Sequence, residues 1–402
     1  TQVGSSAASD VYKRQIQGLR GTGQFTSDFR PTNYRELFTL LEPNGTAPLQ
    51  ALLAMSSSEG TDDPKFNHFR DELPNRTITV NGALNNSATS VAFDAGDDNF
   101  LIAGTMLYNP ATSEMMTVAS DSTATPVTVT RGASGTTAAA VADNQELVIA
   151  GFADQEGGTA PTAVSFDPTT DFNFTQIFKT AIQVSGTLQN TKLRTGDKEQ
   201  ESLTKALKLH MGDIERAFFF GTRNEANGST ASPTRHTGGL LSMITSITDC
   251  ASATASTNKM TEKEFDRFLV EDIFAFGSNE KVAFCGPRCI SNMMEVGKGR
   301  WSPTQIDNAY GVAFTRYTTF AGDLLVYMHP MFRQIASMAQ EMIILDMNHL
   351  NYRYMNGRDT QLIRDIQTND FDGVKHMYMS ECGLEMTQQK VHHRIKNWSA
   401  LA

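Results

Sequence analysis

Four cysteines and eight histidines are the side chains of this 402-residue chain that could act as nucleophiles, general bases or metal ligands. Cys382 lies near His376 and His392, and a thiol beside an imidazole is the composition of an acyl-transfer nucleophile. Such a pair works only when a further group orients the imidazole, and the sequence marks none. Cys285 and Cys289 flank a strand-to-helix turn while Cys250 stands apart; a tetrahedral zinc site would need two more ligands at matching spacing. There is no HExxH, and the adjacent His392 and His393 would point to opposite sides of a strand. Lys298 follows a glycine in EVGKGR, but Asn292 occupies the place of the leading phosphate-loop glycine and no Ser or Thr follows the lysine. GxSxG is absent, and Asp62-Asp63 reads as part of a turn. Arg131, at a strand end before Gly132 and Gly135, is a turn anchor in preference to a catalytic arginine, because the small residues around it argue against a deep ligand site. No catalytic, cofactor-binding or metal-ligating residue is assigned, and no cofactor is expected.

What the chain does carry is one long element on which others can be hung. In residues 198–221, Leu203, Leu207, Met211, Ile214 and Phe218 recur every three or four positions, the stripe of an amphipathic helix of about six turns, roughly 35 Å long. Asp197 with Gln200 can cap its start, Gly221 can end it, and Glu201 stands four residues before Lys205 on the exposed side. The five stripe residues are expected to be core.

The flanks differ in character. Residues 1–30 hold too little apolar material for a core and read as an arm. Two short amphipathic helices follow, NYRELFTLLEP after Pro31 and LQALLAM after Pro48, separated by an Asn44-Gly45 turn. They need a covering surface, either their own body or another subunit. From Thr77 to Gly151 come short strand candidates punctuated by turn residues, a small all-β domain of about 75 residues. Extended segments at 65–73 and 172–191 bracket it, as if the chain leaves a body and returns. Beyond the long helix, Thr261 and Glu264 form a capping box before Phe265, Phe268, Leu269, Ile273 and Phe276, with Gly277 as the stop. Strands KVAFC, DLLVYMH and EMIILDM then indicate a second region built on a central sheet.

Net charge is -10, which speaks against a general nucleic-acid-binding surface. The cysteines show no secreted disulfide framework, and no apolar run approaches the 18 residues of a membrane span, so a soluble protein assembled in a reducing compartment is expected.

Three stretches together resemble the major capsid protein of tailed bacteriophages: RPTNYRELFTLLEPNGTAPLQALLAMSSSEGTDDPKF at 30–66, the segment 127–140 with TVTRGASGTTAAA, and FKTAIQVSGTLQNT followed by the long helix ending in ERAFFFG. The resemblance covers about 20–400 and implies an α+β, HK97-like capsid fold with an inserted small all-β domain. It further implies an N-terminal arm at 1–64 and an extended loop at 65–185 that includes the β insertion at 77–151. A peripheral domain at 186–238 would carry the spine helix 198–220, an axial domain would occupy 239–372, and 373–402 would return to the peripheral domain. The implied function is self-assembly into hexamers and pentamers of an icosahedral head around double-stranded DNA, without sequence-specific DNA binding, membrane contact or enzymatic activity. A portal, a separate scaffolding protein and a decoration protein are the implied partners; the scaffold is separate because no long coiled-coil-like N-terminal segment is seen. Leu37, Leu40, Leu41, Leu49, Leu52 and Leu53 are expected to contact a neighbouring subunit through the arm. Another virion component, from the tail or the shell's decoration, is the alternative, and a hydrolase built on Cys382 a remote one.

Overall fold

The computed structural model describes residues 47–53, 57–96, 100–122, 125–191, 196–296, 304–305 and 315–401. The spine helix runs Lys198–Phe220. Asp197 caps it, its carboxylate accepting from the Glu199 N–H at 2.9 Å, and Glu201 pairs with both Lys198 and Lys205 on the outer side. Gly221 ends the helix for a reason other than a left-handed turn. Its φ is -57°, but a Cβ there would stand 2.4 Å from the Thr237 carbonyl oxygen and 2.5 Å from that of Ala217. Close approach of the following loop is what demands glycine.

The spine lies across a sheet whose order is Ser57–Thr61, Leu350–Met355, Gly373–Met386 and Gln176–Ser185, with Gln361–Ile363 alongside the 14-residue strand. All neighbours are antiparallel except Ser57–Thr61, which runs parallel to Leu350–Met355. The segment expected as one strand at 172–191 breaks at Thr175. Its first part, Thr169–Phe174, pairs with Lys65–Arg70 as a two-stranded ribbon, and its second part joins the sheet.

A seven-stranded sheet forms the second body, ordered Ile247–Asp249, His393–Lys396, Met342–Leu345, Glu280–Cys285, Asp323–Met328, Thr315–Thr318 and Thr304–Gln305. Its central strand Glu280–Cys285 is buried on both faces. Alternation sends Val282 and Phe284 toward the spine and Ala283 and Cys285 toward Phe265, Leu269 and Trp398. The Thr261–Glu264 capping box is formed, and the helix Glu262–Phe268 widens into a looser turn over Leu269–Ile273. Phe276, expected on that stripe, is 60% exposed because the widened turn ends at Ile273. His393–Lys396 pairs with Met342–Leu345, and Trp398 stacks on Phe265, so the final segment belongs to this second sheet. Conversely, Leu350–Met355 and Gln361–Ile363 sit in the spine-side sheet. The expected boundary at residue 372 therefore falls in the wrong place, because pairing to the long strand Gly373–Met386 pulls its predecessors to the spine.

Residues 77–152 make a six-stranded antiparallel unit with its own core, including Ile78, Val91, Leu107, Met116, Val129 and Leu147. Strands Thr105–Asn109 and Glu114–Val118 alternate buried and half-buried residues, as half-buried strands must.

Of the five expected spine-core residues, Leu203, Ile214 and Phe218 are buried, whereas Leu207 and Met211 are half-buried. The buried face is rotated toward Ala206, His210, Glu215 and Phe219. Ile214→Ala is expected to destabilise by about 2–5 kcal/mol and Leu207→Ala by only about 1–2 kcal/mol, an order that thermal melting of the two variants checks.

Candidate functional site

The residues that looked chemical in the sequence are separated and enclosed. Cys382 pairs with Gln176 while His376 pairs with Ile182, six residues along the same strand, or about 20 Å. Burial pushes the Cys382 thiol up to about 12, so no thiolate forms at neutral pH. His392 is in the other body, where burial drives its pKa down to about 3 and its Nδ1 accepts the Asp346 N–H at 3.1 Å. Cys250, Cys285 and Cys289 share one apolar core, with the Cys250 thiol pushed up to about 12 mainly by burial. Among the described residues, no three His, Cys, Asp or Glu side chains are placed to hold a metal ion. No described helix is long and apolar enough to cross a membrane.

Arg131 is an anchor. Its Nε and Nη2 donate to the Glu114 carboxylate at 2.7 and 2.8 Å, Nη1 donates to the Asn85 and Ala88 carbonyls, and Nη2 also donates to the Ala139 carbonyl. All five guanidinium donors are thereby used. Glu114 also accepts the Gly132 and Ala139 N–H groups. Burial alone would raise the Glu114 pKa; the bonds from Arg131, Ala139 and Gly132 outweigh it and hold the carboxyl below its ordinary value.

Another well-connected buried carboxylate is one that the sequence did not mark. Glu215, 2% exposed on the spine, accepts the Leu49 N–H at 2.9 Å, the Gln50 N–H at 3.0 Å and His329 Nε2 at 2.9 Å. His329 Nδ1 accepts the Met331 N–H, so the imidazole proton sits on Nε2, facing the carboxylate. The ring stacks on Phe332 and meets Phe219 edge-on, both at 4.9 Å between centroids. One carboxylate thus ties the amino end of helix Pro48–Leu53, the spine and the end of strand Asp323–Met328. Its signal in the sequence was faint: a single acid between Ile214 and Phe218, and a histidine before Pro330.

A second buried polar line crosses the same helix. His210 contacts Thr180 Oγ1 at 3.0 Å through Nδ1 and Ser380 Oγ at 2.7 Å through Nε2, and burial lowers its pKa. His376 accepts the Asp365 N–H and bonds Glu199 at 3.0 Å near the spine's first turn. These polar side chains sit on the buried face because each finds a partner on the sheet.

The expected neighbour contacts of the arm divide. Leu37, Leu40 and Leu41 lie outside the described residues. Leu49 and Leu53 are fully buried in the chain's own core and have no surface left for a neighbouring subunit, whereas Leu52 is half-buried and packs against the same core. The Glu215 carboxylate decides this by fixing the helix to its own spine. Deleting residues 1–55 is therefore expected to unfold the body, whereas deleting 1–46 should leave it folded; circular dichroism and melting of the two truncations separate these outcomes.

Beside the Pro48–Leu53 helix lies an open, mostly apolar groove of about 640 Å³, floored by Leu207, Met211 and Gly212 of the spine. Elsewhere Phe320 at the tip of the Thr315–Met328 hairpin is fully exposed, and Phe69 and Leu73 at the ribbon are 74% and 87% exposed.

Residues 19–399 match the sequence profile of the family described as SU10 major capsid protein. The major capsid protein of Pseudomonas phage PaMx41 is 28% identical over 80% of this chain and 78% of its own length. Among solved structures, the capsid of an empty GTA particle aligns over 96% of this chain and all of its own, at 10% identity and TM-score 0.48. The capsid of Myoviridae phage XM1 aligns over 95% of this chain and 99% of its own, at 9% identity and TM-score 0.44.

Proposed function

Because the chain belongs to the SU10 major capsid protein family, we propose that its parts divide the work of building a phage head as their connections suggest. The chain is a shell-forming major capsid protein of α+β, HK97-like type, and its place is the capsid of the virion. The observation that carries this reading is the family match over residues 19–399, which spans both sheets and the spine.

Within that role, the spine and its four-stranded sheet with Gln361–Ile363 serve as the peripheral body. The seven-stranded sheet serves as the axial body, where copies meet around fivefold and quasi-sixfold positions. The ribbon Lys65–Arg70 with Thr169–Phe174 acts as the stem of an extended loop, and the 77–152 unit is its insertion. The ribbon's exposed Phe69 and the neighbouring Leu73 support a covered position in the shell, since an isolated two-stranded ribbon is marginal in water. The four buried cysteines, and His210, His329 and His376 held by partners on the spine, strands and loops, support a structural chain with no catalytic step. A portal, a separate scaffolding protein and a decoration protein are the further partners, and the enclosed duplex DNA is held without sequence-specific contacts, in keeping with the net charge of -10.

Electron microscopy of the purified protein tests the role. Closed particles or sheets of capsomers are expected; monomers alone, with turnover of ester or peptide substrates, would overturn it.

A further inference from the structure

The ribbon that carries the 77–152 unit is gripped by both bodies at once. In the short turn Gln389–Val391, just before strand His393–Lys396, Gln389 Nε2 donates to Asp171 Oδ2 at 2.7 Å and Lys390 Nζ donates to Glu72. That turn is fixed to the seven-stranded sheet, since Lys281 Nζ donates to the Val391 carbonyl at 2.7 Å. From the loop beyond the spine, Arg223 donates to Asp171 Oδ1 at 2.8 Å and to the Phe172 carbonyl, and its guanidinium lies 4.2 Å from the Phe172 ring centroid. Asp171 thus gives one carboxylate oxygen to each body. The root of the ribbon is held differently. Asn173, 1% exposed, donates to the Gly238 and Leu384 carbonyls and accepts the Gly238 N–H, and the Thr175 N–H bonds the Pro64 carbonyl. Past the grip, Phe69, paired with Thr170, stands largely in solvent.

We propose that Asp171 and Glu72, with Arg223, Gln389 and Lys390, form a salt-sensitive clamp that sets the direction of the ribbon and opens without unfolding either body. The contrast between root and clamp carries the assignment. The Asn173 bonds are neutral and enclosed, so added salt leaves them alone. The clamp is made of ion pairs whose side chains are 20–57% exposed, the kind that mobile ions screen and that hold only modestly. Glu72 also has an alternative partner on its own side, Arg70 at 3.5 Å, which receives it when Lys390 lets go. Because the donors to Asp171 come from two bodies, the clamp closes only where both present them together. A shift of one body against the other removes Arg223 or Gln389 and frees the ribbon, which couples the arrangement of the two bodies to the direction of the 77–152 unit.

Distance measurement between two spin labels tests the clamp in isolated full-length subunits. The labels are placed by Ser120→Cys on the 77–152 unit and Thr204→Cys on the spine, both exposed positions, the native cysteines being fully buried. One narrow distance distribution is expected at about 0.1 M salt, broadening at about 1 M, where the screening length falls from about 10 Å to about 3 Å. Asp171→Ala in the labelled chain should give the broad distribution at both salt concentrations, and Arg223→Ala or Gln389→Ala alone should broaden it as well. A narrow distribution in Asp171→Ala, or a native distribution that ignores salt, overturns the clamp. A full effect from one donor variant and none from the other overturns the dependence on both bodies. Amide exchange keeps folding separate from clamping. In Asp171→Ala it should quicken about tenfold in Lys65–Arg70 and Thr169–Phe174 and stay unchanged in the spine. Loss of protection in the spine as well would make Asp171 part of the folded core, and the proposal fails.

Discussion

Glu215→Ala is expected to lower the stability of the subunit by about 3–5 kcal/mol, the range for removing one partner of a buried charged network. The substitution leaves His329 Nε2 and the Leu49 and Gln50 N–H groups without their acceptor, in surroundings made of Phe219 and Phe332. Each stranded buried donor carries its own desolvation penalty of about 1–3 kcal/mol. The helix Pro48–Leu53 should detach first, since Glu215 is the acceptor for its leading amides and its six residues are too few to persist alone. Glu215→Gln, which keeps one acceptor oxygen but adds donors facing donors, should fall between. Melting temperature together with amide exchange over residues 49–53 reads both effects. An unchanged melting temperature in the alanine variant would show that the carboxylate is not the junction between arm, spine and second sheet.

Arg131→Ala should have an effect of similar size, about 3–5 kcal/mol, confined to the 77–152 unit. The variant leaves the Glu114 carboxylate buried without its countercharge and three loop carbonyls without donors. Acid should do part of the same work. The Glu114 pKa is lowered in the folded chain, so its contribution is fully present above the ordinary carboxylate range and is lost as pH falls through the lowered value. Amide exchange in strands Thr105–Asn109 and Glu114–Val118 should rise in the variant at neutral pH and in the native chain only on acidification. The spine should be unaffected in both cases. Equal loss of protection across the whole chain would instead mean that this unit and the body unfold as one.

Much of the element inventory follows from local pattern. The period of Leu203, Ile214 and Phe218, the Asp197 cap and the Thr261–Glu264 box are rules that act within a few residues, and the folded chain obeys them. The strands of the 77–152 unit were legible for the same reason, since alternation and turn residues are local. The resemblance to tailed-phage capsid proteins at 30–66, 127–140 and around the spine pointed to the family that the match over 19–399 identifies.

Tertiary structure alone decided which side of the spine is buried and what shares that face. A helical stripe specifies a direction only to within a turn or so, and His210 and Glu215 enter the core because Ser380, Thr180, His329 and two backbone amides, all distant in sequence, complete their hydrogen bonds. It decided that Leu49 and Leu53 face their own spine, since an apolar side chain carries no information about which surface will cover it. It also split the closing segment between two sheets, because strand partners are chosen by long-range pairing that no local rule encodes: Gly373–Met386 beside the spine, and His393–Lys396 beside Met342–Leu345.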